Sequence, residues 1–345
     1  MRILIDAMSG DNAPLEIIKG VELARREYPD HTMLLVGDEN VISDLAVKNN
    51  IKLEGIEIIP SATVITMEDN PLSAIREKRD SSMAVGLKAL RQGEVDAFVS
   101  AGNTGALLAG ATIIVKRIVG INRAAIASVL PLSNPVLLMD SGANLTVTAD
   151  NIAQFAFMGA KYMEKIYGLD RPRVGLLNNG TEYNKGNTLQ IESYQILSES
   201  GLEFVGNVEG KAVPFDACDV LVTDGFTGNI FLKTVEGMGK FLLTTLKEVL
   251  TTNIVTKVST LTMGEKIKDL KHRFDAGEHG GAPILGISKP VIKAHGSSDA
   301  NAIKNAVRQA IHFVETGIND EIVSFAQDYD EKKLLADAEK VFTEI

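Results

Sequence analysis

Four times along this chain a short apolar run stops in glycine, asparagine and aspartate, and a helical pattern follows at once. The longest instance is Asp219 to Lys233, where Val220 to Val222 gives way to Asp224-Gly225 and Thr227-Gly228-Asn229. Ile3 to Asp6 leads likewise into Met8-Ser9-Gly10-Asp11-Asn12-Ala13-Pro14, with Pro14 suited to the first turn of a helix. Val95 to Val99 leads into Ser100-Ala101-Gly102-Asn103-Thr104-Gly105, and Val174 to Leu177 into Asn178 through Asn187. A glycine-rich turn that opens a helix presents backbone N–H groups at the positive end of the helix dipole, which favours anions. In open α/β sheets the ligand lies outside the carboxyl ends of the strands. Several such turns therefore point to one anion-binding crevice. Taken singly, each turn is explained as well by helix capping and turn chemistry.

Further β-rich segments at Thr32 to Val36, Ile56 to Ile59, Ala125 to Leu130 and Val136 to Met139 alternate with helical patterns. The helical patterns include Pro14 to Glu27, Asp150 to Tyr167, Thr188 to Ser200 and Ala300 to Thr316. Such alternation predicts an α/β fold, a mostly parallel sheet with helices on both faces. Ala125 to Met139, broken by Pro131 to Pro135, predicts an antiparallel excursion. Length alone permits one large domain or two, and no low-complexity linker or fixed-period repeat divides the chain. From Thr227 to about Phe274 no strand pattern intervenes. An apolar stripe of Phe241, Leu242, Leu246, Val249 and Leu250 continues through Ile254, Val255, Val258, Leu261 and Met263. It predicts a projecting helical hairpin at about 237–276. Core packing or a dimer interface would account for the stripe, and so would a tip that touches a membrane surface.

Net charge −10 argues against general nucleic-acid binding. An acidic protein partner would need a local basic patch. Lys266, Lys268, Lys271 and Arg273 are the densest candidate, with Arg76, Lys78 and Arg79 second. No apolar run reaches the length of about 18 residues that a membrane span needs. Met1-Arg2-Ile3 enters a strand with no signal-peptide pattern, so a cytoplasmic location is expected. The single cysteine, Cys218, suits a reducing compartment and starts a strand at the end away from the expected site. A buried structural thiol is the expectation. No carboxylate pair or histidine cluster has ligand spacing on one helix, so neither a metal nor a cofactor is expected.

Asp6 through Pro14 resembles the amino-terminal signature of the bacterial phosphate acyltransferases, the PlsX family. Ser100 through Ala106, Asp140 through Asn144, Gly175 through Asn178 and Lys185-Gly186-Asn187 resemble the same family. So do Asp224 through Asn229 and Gly280-Gly281-Ala282-Pro283 through His295-Gly296-Ser297. The motifs run in order over nearly the whole chain. Ser9 stands where a second glycine is usual and Ser141 where valine is common, while Thr181 and Asn184 sit in a loop that is often more acidic and apolar.

The resemblance implies a three-layer α/β/α fold of the isopropylmalate-dehydrogenase-like and phosphotransacetylase-like type. It implies a single domain over 1–345 and a homodimer. The implied reaction moves a long-chain fatty acyl group from acyl carrier protein to inorganic phosphate. The acyl phosphate would feed phospholipid (phosphatidic acid) synthesis through a membrane acyl-phosphate:glycerol-3-phosphate acyltransferase. The expected place is the cytoplasm, peripherally at the inner face of the cell membrane. A weak contact there through Ile254, Val255, Val258 and Leu261 is expected from their shared, lysine-flanked helix face.

Phosphate is already a charged oxygen nucleophile near neutral pH, and a thioester has a good leaving group. Such a site must overcome repulsion, place the phosphate and stabilise an oxyanion. Lys185 is the expected principal phosphate cation, with Gly186 and Asn187 beside it, although a loop lysine is commonly solvated surface. Asn229 would offer an amide to phosphate or oxyanion, or else serve as a cap. His295 would protonate the departing thiolate or donate to the carbonyl oxygen, or else be structural. Gly10, Asp11, Asn103, Thr104, Gly105, Gly180, Asp224, Gly225, Gly228, Lys293 and Gly296 complete the expected substrate-binding loops. Lys233, one turn beyond Asn229, would add charge at i+4 or else be surface, and surface is the preferred reading. Asp6, Asp11, Asp140 and Asp224 would brace loops. A nicotinamide-dependent decarboxylating dehydrogenase shares the inferred fold but wants acidic metal ligands, an arginine cluster or a G-x-G-x-x-G after the first strand, none of which is found. A short-chain phosphate acetyltransferase using acyl-CoA and a non-catalytic scaffold for lipid synthesis stay open.

Overall fold

Glycine and Asx residues interrupt the apolar runs where helices begin, and the resulting elements follow one another with little intervening chain. The computed structural model describes residues 1–132, 134–252, 264 and 280–329. Its amino-terminal part comprises β1 (Arg2–Asp6), α1 (Leu15–Glu27), β2 (Thr32–Gly37), α2 (Glu39–Lys48), β3 (Ile56–Pro60), α3 (Pro71–Glu77), α4 (Ser82–Gln92), β4 (Ala97–Ser100) and α5 (Thr104–Gly110). There follow β5 (Ala125–Ile126), β6 (Ser128–Leu130), β7 (Val136–Met139), α6 (Ala149–Tyr167), β8 (Arg173–Asn178), α7 (Thr188–Ser198), β9 (Glu203–Glu209), β10 (Val220–Val222) and α8 (Gly225–Leu250). β11 (Ala282–Leu285), β12 (Val291–Lys293) and α9 (Ala300–Glu315) complete the described elements.

Among the described residues the strands form two sheets, ordered β3-β2-β1-β4-β12-β11-β5 and β6-β7-β10-β8-β9. Neighbours from β3 to β12 run parallel in the first sheet, as do those from β7 to β9 in the second. The expected strand Ala125 to Leu130 divides between them. Ile126 and Ala125 pair antiparallel with β11, while Ser128 to Leu130 pair antiparallel with β7. Ala127, between the two, donates its N–H to the Pro283 carbonyl at 3.0 Å. The antiparallel excursion is thus the ribbon by which the chain passes from one sheet to the other.

Helices cover both faces of each sheet. On the first, Ile17, Val21, Ile303 and Val307 of α1 and α9 bury one face, while Met83, Leu87 and Leu107 of α4 and α5 bury the other. On the second, Phe155, Met158 and Tyr162 of α6 pack on Leu137, Val174 and Val220. Each such side chain taken fully from water contributes about 1.5–3 kcal/mol before entropy is counted. α6 starts on a capping box, Thr148 with Asn151, and ends at Gly168 in the left-handed conformation, the device that satisfies its orphan carbonyls. The buried Tyr162 hydroxyl meets the amide of Gln309, which ties α6 to α9.

α8 is the least covered element. Of its apolar stripe, Phe241, Leu242 and Val249 are exposed within the chain, so the stripe is not core packing there. Residues 253–263 and 265–279, which carry the rest of the expected hairpin, lie outside the described residues, and so do Ile254, Val255, Val258 and Leu261. Among the described residues the closest grip on α8 is at its start. A Cβ built on Gly228 would lie 1.9 Å from the Asp140 carbonyl oxygen, and one on Gly225 would lie 2.7 Å from the Asn144 backbone. The helix can approach the β7 loop only because these positions carry no side chain.

Gly228→Ala should therefore cost about 1–3 kcal/mol through forced displacement of α8. Calorimetry should show a fall of a few degrees in Tm, with helix content by circular dichroism unchanged.

Candidate active site

The carboxyl ends of β1, β4 and β12 lie side by side in the first sheet, and their loops interlock. The Asp11 N–H donates to the Gly296 carbonyl at 2.8 Å, and the Asn12 amide to the Ser297 carbonyl at 3.1 Å. Gly10 has φ +124, and a Cβ there would lie 3.0 Å from Ala101 Cβ and 3.3 Å from the Gly296 oxygen. Only glycine fits where these three loops cross. Beneath them Asp6 is buried and accepts from the Ser100 hydroxyl at 2.9 Å and the Met8 N–H at 3.2 Å. Burial pushes its carboxyl above the ordinary aspartate range, and the hydroxyl and N–H donors oppose that rise.

In the second sheet the β7 loop is organised by Asp140, which is buried. Its Oδ1 accepts N–H groups from Ile126, Gly142 and Ala143, and its Oδ2 accepts both the backbone and side-chain N–H of Asn144. Burial raises this carboxyl and the donors pull it back. Asn144 in turn takes the Gly225 N–H at 2.7 Å, which fixes where α8 begins. Asp224 caps that helix through the Thr227 N–H at 2.9 Å.

Three of the expected binding residues are consumed by caps. Asn103 caps α5, and its amide N–H groups go to the Met67, Thr66 and Asp69 carbonyls. Thr104 and Gly105 form the first turn of that helix, with Gly105 against Pro71. Asn187 caps α7 in a capping box with Gln190, and Asp224 caps α8. Asn229 is different. It lies in the second turn of α8, exposed, with its side chain 3.5 Å from the position a Cβ on Gly142 would take.

One further turn along α8, Lys233 is exposed, as expected of a surface residue, but reaches the β12 loop of the other sheet. Its Nζ lies 3.3 Å from His295 Nε2 and 2.7 Å from Glu236 Oε2. His295 Nδ1 lies 2.9 Å from the Ser297 hydroxyl. Partial burial and the Lys233 charge hold the imidazole below its ordinary value, so the ring is neutral at neutral pH. Lys293 points its amine at the carbonyls of Ala101 and Ala294. Burial pushes its pKa down to about 8, against the opposing charge of Asp11. Gly296 lies against Asp11, 3.3 Å from a would-be Cβ to Oδ2.

The structure thus gathers Gly10, Asp11, Lys293, His295 and Gly296 from the first sheet with Gly142, Asn229 and Lys233 from the second. Lys185 stands apart. Its loop follows β8, on the far side of β10 from the Asp140 loop, and it is exposed. Asn178 Nδ2 donates to the Lys185 carbonyl at 3.0 Å, Gly186 turns with φ +88, and Gly180 packs under the lysine stem. Cys218 is 1 % exposed, and burial pushes its thiol up to about 12. Among the described residues no three His, Cys, Asp or Glu side chains gather as a metal site, and no helix is long and apolar enough to cross a membrane. Lys266, Lys268, Lys271 and Arg273 lie outside the described residues. In the second basic candidate, Lys78 is engaged by Asp69 and the Val64 carbonyl, while Arg76 and Arg79 are exposed.

The sequence profile of a family described as "Fatty acid synthesis protein" matches residues 1–321. The chain is 46% identical over 323 residues to the phosphate acyltransferase of Thermoanaerobacter pseudethanolicus, covering 93% of this chain and 96% of that protein. It is 44% identical over 335 residues to the phosphate acyltransferase of Anoxybacillus flavithermus, covering 96% of this chain and 100% of the other. Among solved structures, a phosphotransacetylase from Streptococcus pyogenes superposes with a TM-score of 0.60 at 19% identity, over 91% of this chain and 94% of that one. A 4-hydroxythreonine-4-phosphate dehydrogenase from Klebsiella pneumoniae gives 0.52 at 13%, over 91% and 99%. At such identities the likeness to these structures is one of fold. The sequence relatives carry more, and on them the chain belongs to the bacterial phosphate acyltransferase family, PlsX, and is an acyltransferase.

Proposed function

We propose that this enzyme transfers a long-chain acyl group from acyl carrier protein to inorganic phosphate, in a crevice between its two sheets. The supporting observation is the 3.3 Å approach of Lys233 to His295, which brings α8, with Asn229 one turn earlier, against the loop that carries Lys293. A part-buried ammonium and an uncommitted amide suit a phosphate dianion and a thioester oxyanion. The whole span 1–345 would work as one domain, since neither sheet alone carries the full set.

In this reading a phosphate oxygen attacks the thioester carbonyl directly. The carbon–sulfur bond breaks as the new carbon–oxygen bond forms, and the hydrogen phosphate proton ends on the departing thiol. The amide of Asn229 and the N–H groups at Gly10 and Gly296 would steady phosphate or oxyanion. His295, neutral beside Lys233, is placed to relay the proton. The enzyme needs no acyl-cysteine for this, and the burial of Cys218 supports that route. Leu145, Phe226 and Ile230, exposed at the same end of α8, offer an apolar wall that fits a long acyl chain better than an acetyl group.

The homodimer, the carrier-protein patch at Lys266 to Arg273 and the membrane tip at Ile254 to Leu261 are proposals carried by the resemblance and by charge and hydropathy pattern. The exposed apolar residues Met238, Phe241, Leu242 and Val249 of α8 support a second copy as their cover. Delivery of acyl phosphate to a membrane acyltransferase for phosphatidic acid synthesis, at the inner face of the cell membrane, completes the reading.

Incubation of purified protein with palmitoyl-acyl carrier protein and labelled phosphate should release labelled acyl phosphate. Release with acetyl-CoA alone, or no phosphate-dependent release, would refute the reading. Cys218→Ser should keep most of the activity, and a stoichiometric acyl group trapped on Cys218 would overturn direct attack. Lys185→Ala should raise the KM for phosphate by about 10–150-fold, since a charge-assisted contact is worth about 1.5–3 kcal/mol. An unchanged KM would remove Lys185 from the phosphate site.

Lys293 adds a pH signature. Its charge is present below pH about 8 and is lost above it, whereas phosphate stays a dianion. Calorimetric titration should therefore show phosphate affinity falling as pH rises through about 8. In Lys293→Arg, which stays charged, that decline should vanish.

A further inference from the structure

We propose that Lys233 is a second phosphate ligand, reaching from α8 across the crevice so that the anion is held between the two sheets. This rests on the phosphate-transfer reading above. Three observations point to it. First, the Lys233 Nζ faces His295 Nε2 at 3.3 Å, so a helix of the second sheet delivers a cation into a loop of the first. The Ser297 N–H donates to His295 Nδ1 at 3.2 Å, so the neutral ring carries its proton on Nε2. That N–H and the ammonium are two donors face to face, and an acceptor such as an anion is the partner that such a meeting lacks.

Second, Lys233 and Lys293 share one electrostatic field. The charge of Lys233 is felt at both Lys293 and His295, with Asp11 and Glu236 as the opposing acids. A dianion placed between the two lysines would relieve their mutual repulsion. Third, Lys233 is tethered but available. Its ion pair with Glu236 is an i,i+3 contact on a helix, and its side chain is 51% exposed. Such pairs are worth little in solvent, so a phosphate can take the ammonium from Glu236 without a large loss. Asn229, one turn earlier, stands on the same side of the helix because residues four apart share a face.

A device of this kind has a mechanical corollary. Phosphate bound by Lys293 alone would sit on the first sheet, but phosphate bound also by Lys233 pins α8 to the β12 loop. The acyl carbonyl, wherever the apolar wall of α8 holds it, would then be brought into fixed register with its nucleophile.

The test compares Lys233→Gln and Lys233→Arg with the wild-type enzyme, using inorganic phosphate and palmitoyl-acyl carrier protein. Lys233→Gln should raise the KM for phosphate by about 10–100-fold while the KM for the acyl donor moves less than about twofold. Its Tm should match wild type. Lys233→Arg should recover most of the phosphate affinity. Calorimetry with phosphate alone should show the same loss and recovery without turnover. An unchanged phosphate KM in Lys233→Gln, or equal effects on both substrates, would overturn the assignment. A wild-type protein that binds no phosphate would instead sink the phosphate-transfer reading itself, so the two failures are distinct.

Discussion

The carboxylate of Asp140 is out of reach of water, and N–H groups from both sheets converge on it. Ile126 belongs to a strand of the first sheet, whereas Gly142, Ala143 and Asn144 form the loop that ends β7 in the second. A buried charge survives only when its lone pairs are satisfied, and satisfaction by fixed backbone donors leaves little room for alternative arrangements. The β7 loop is therefore held in one shape. Through Asn144 that shape sets the start of α8, and α8 carries Asn229 and Lys233. The distance between those side chains and the Lys293–His295 loop is inherited from a single buried carboxylate.

The electrostatic character of the crevice follows from depth more than from charge count. Lys293 is sunk among the carbonyls of Ala101 and Ala294, while Lys233 stands half-exposed beside a neutral imidazole. On the proposed function these two amines would face the anionic nucleophile of an acidic protein. Burial lowers the tendency of Lys293 to hold its proton, which makes it responsive to its surroundings near physiological pH. Asp11 and Glu236 set negative charge against the lysines and the imidazole.

Much of this was legible in the sequence, because the strand–turn–helix grammar is local. Each of the four turns follows a strand and opens a helix. The alternation of β-rich and helical segments gave the mostly parallel sheets. That strands divide between two sheets was not legible, since hydrogen-bonded neighbours such as β4 and β12 lie far apart in sequence. β9, with Glu203, Asn207 and Glu209 among its residues and Gly206 within it, lacks the apolar run that marked its neighbours. β11 carries a proline and spans only four residues. Within the loops, composition could not separate caps from ligands. Asn103, Asn187 and Asp224 close their own helices, while Asn229 is left free because Asp224 had already taken the capping role. Lys233 read as surface because its partner, His295, is brought near only by the tertiary fold.

The grip on α8 at Gly225 and Gly228 makes that helix a lever with its fulcrum at one end. From Gly228 to Leu250 it extends about 33 Å at 1.5 Å per residue, whereas Lys233 lies only about 7.5 Å from the pivot. A tilt of about 5° would carry Leu250 some 3 Å sideways yet shift Lys233 by under about 1 Å. Whatever leans on the distal end of α8 is thereby geared down more than fourfold before it reaches the crevice. Gross displacement at the periphery arrives as fine adjustment at the lysine.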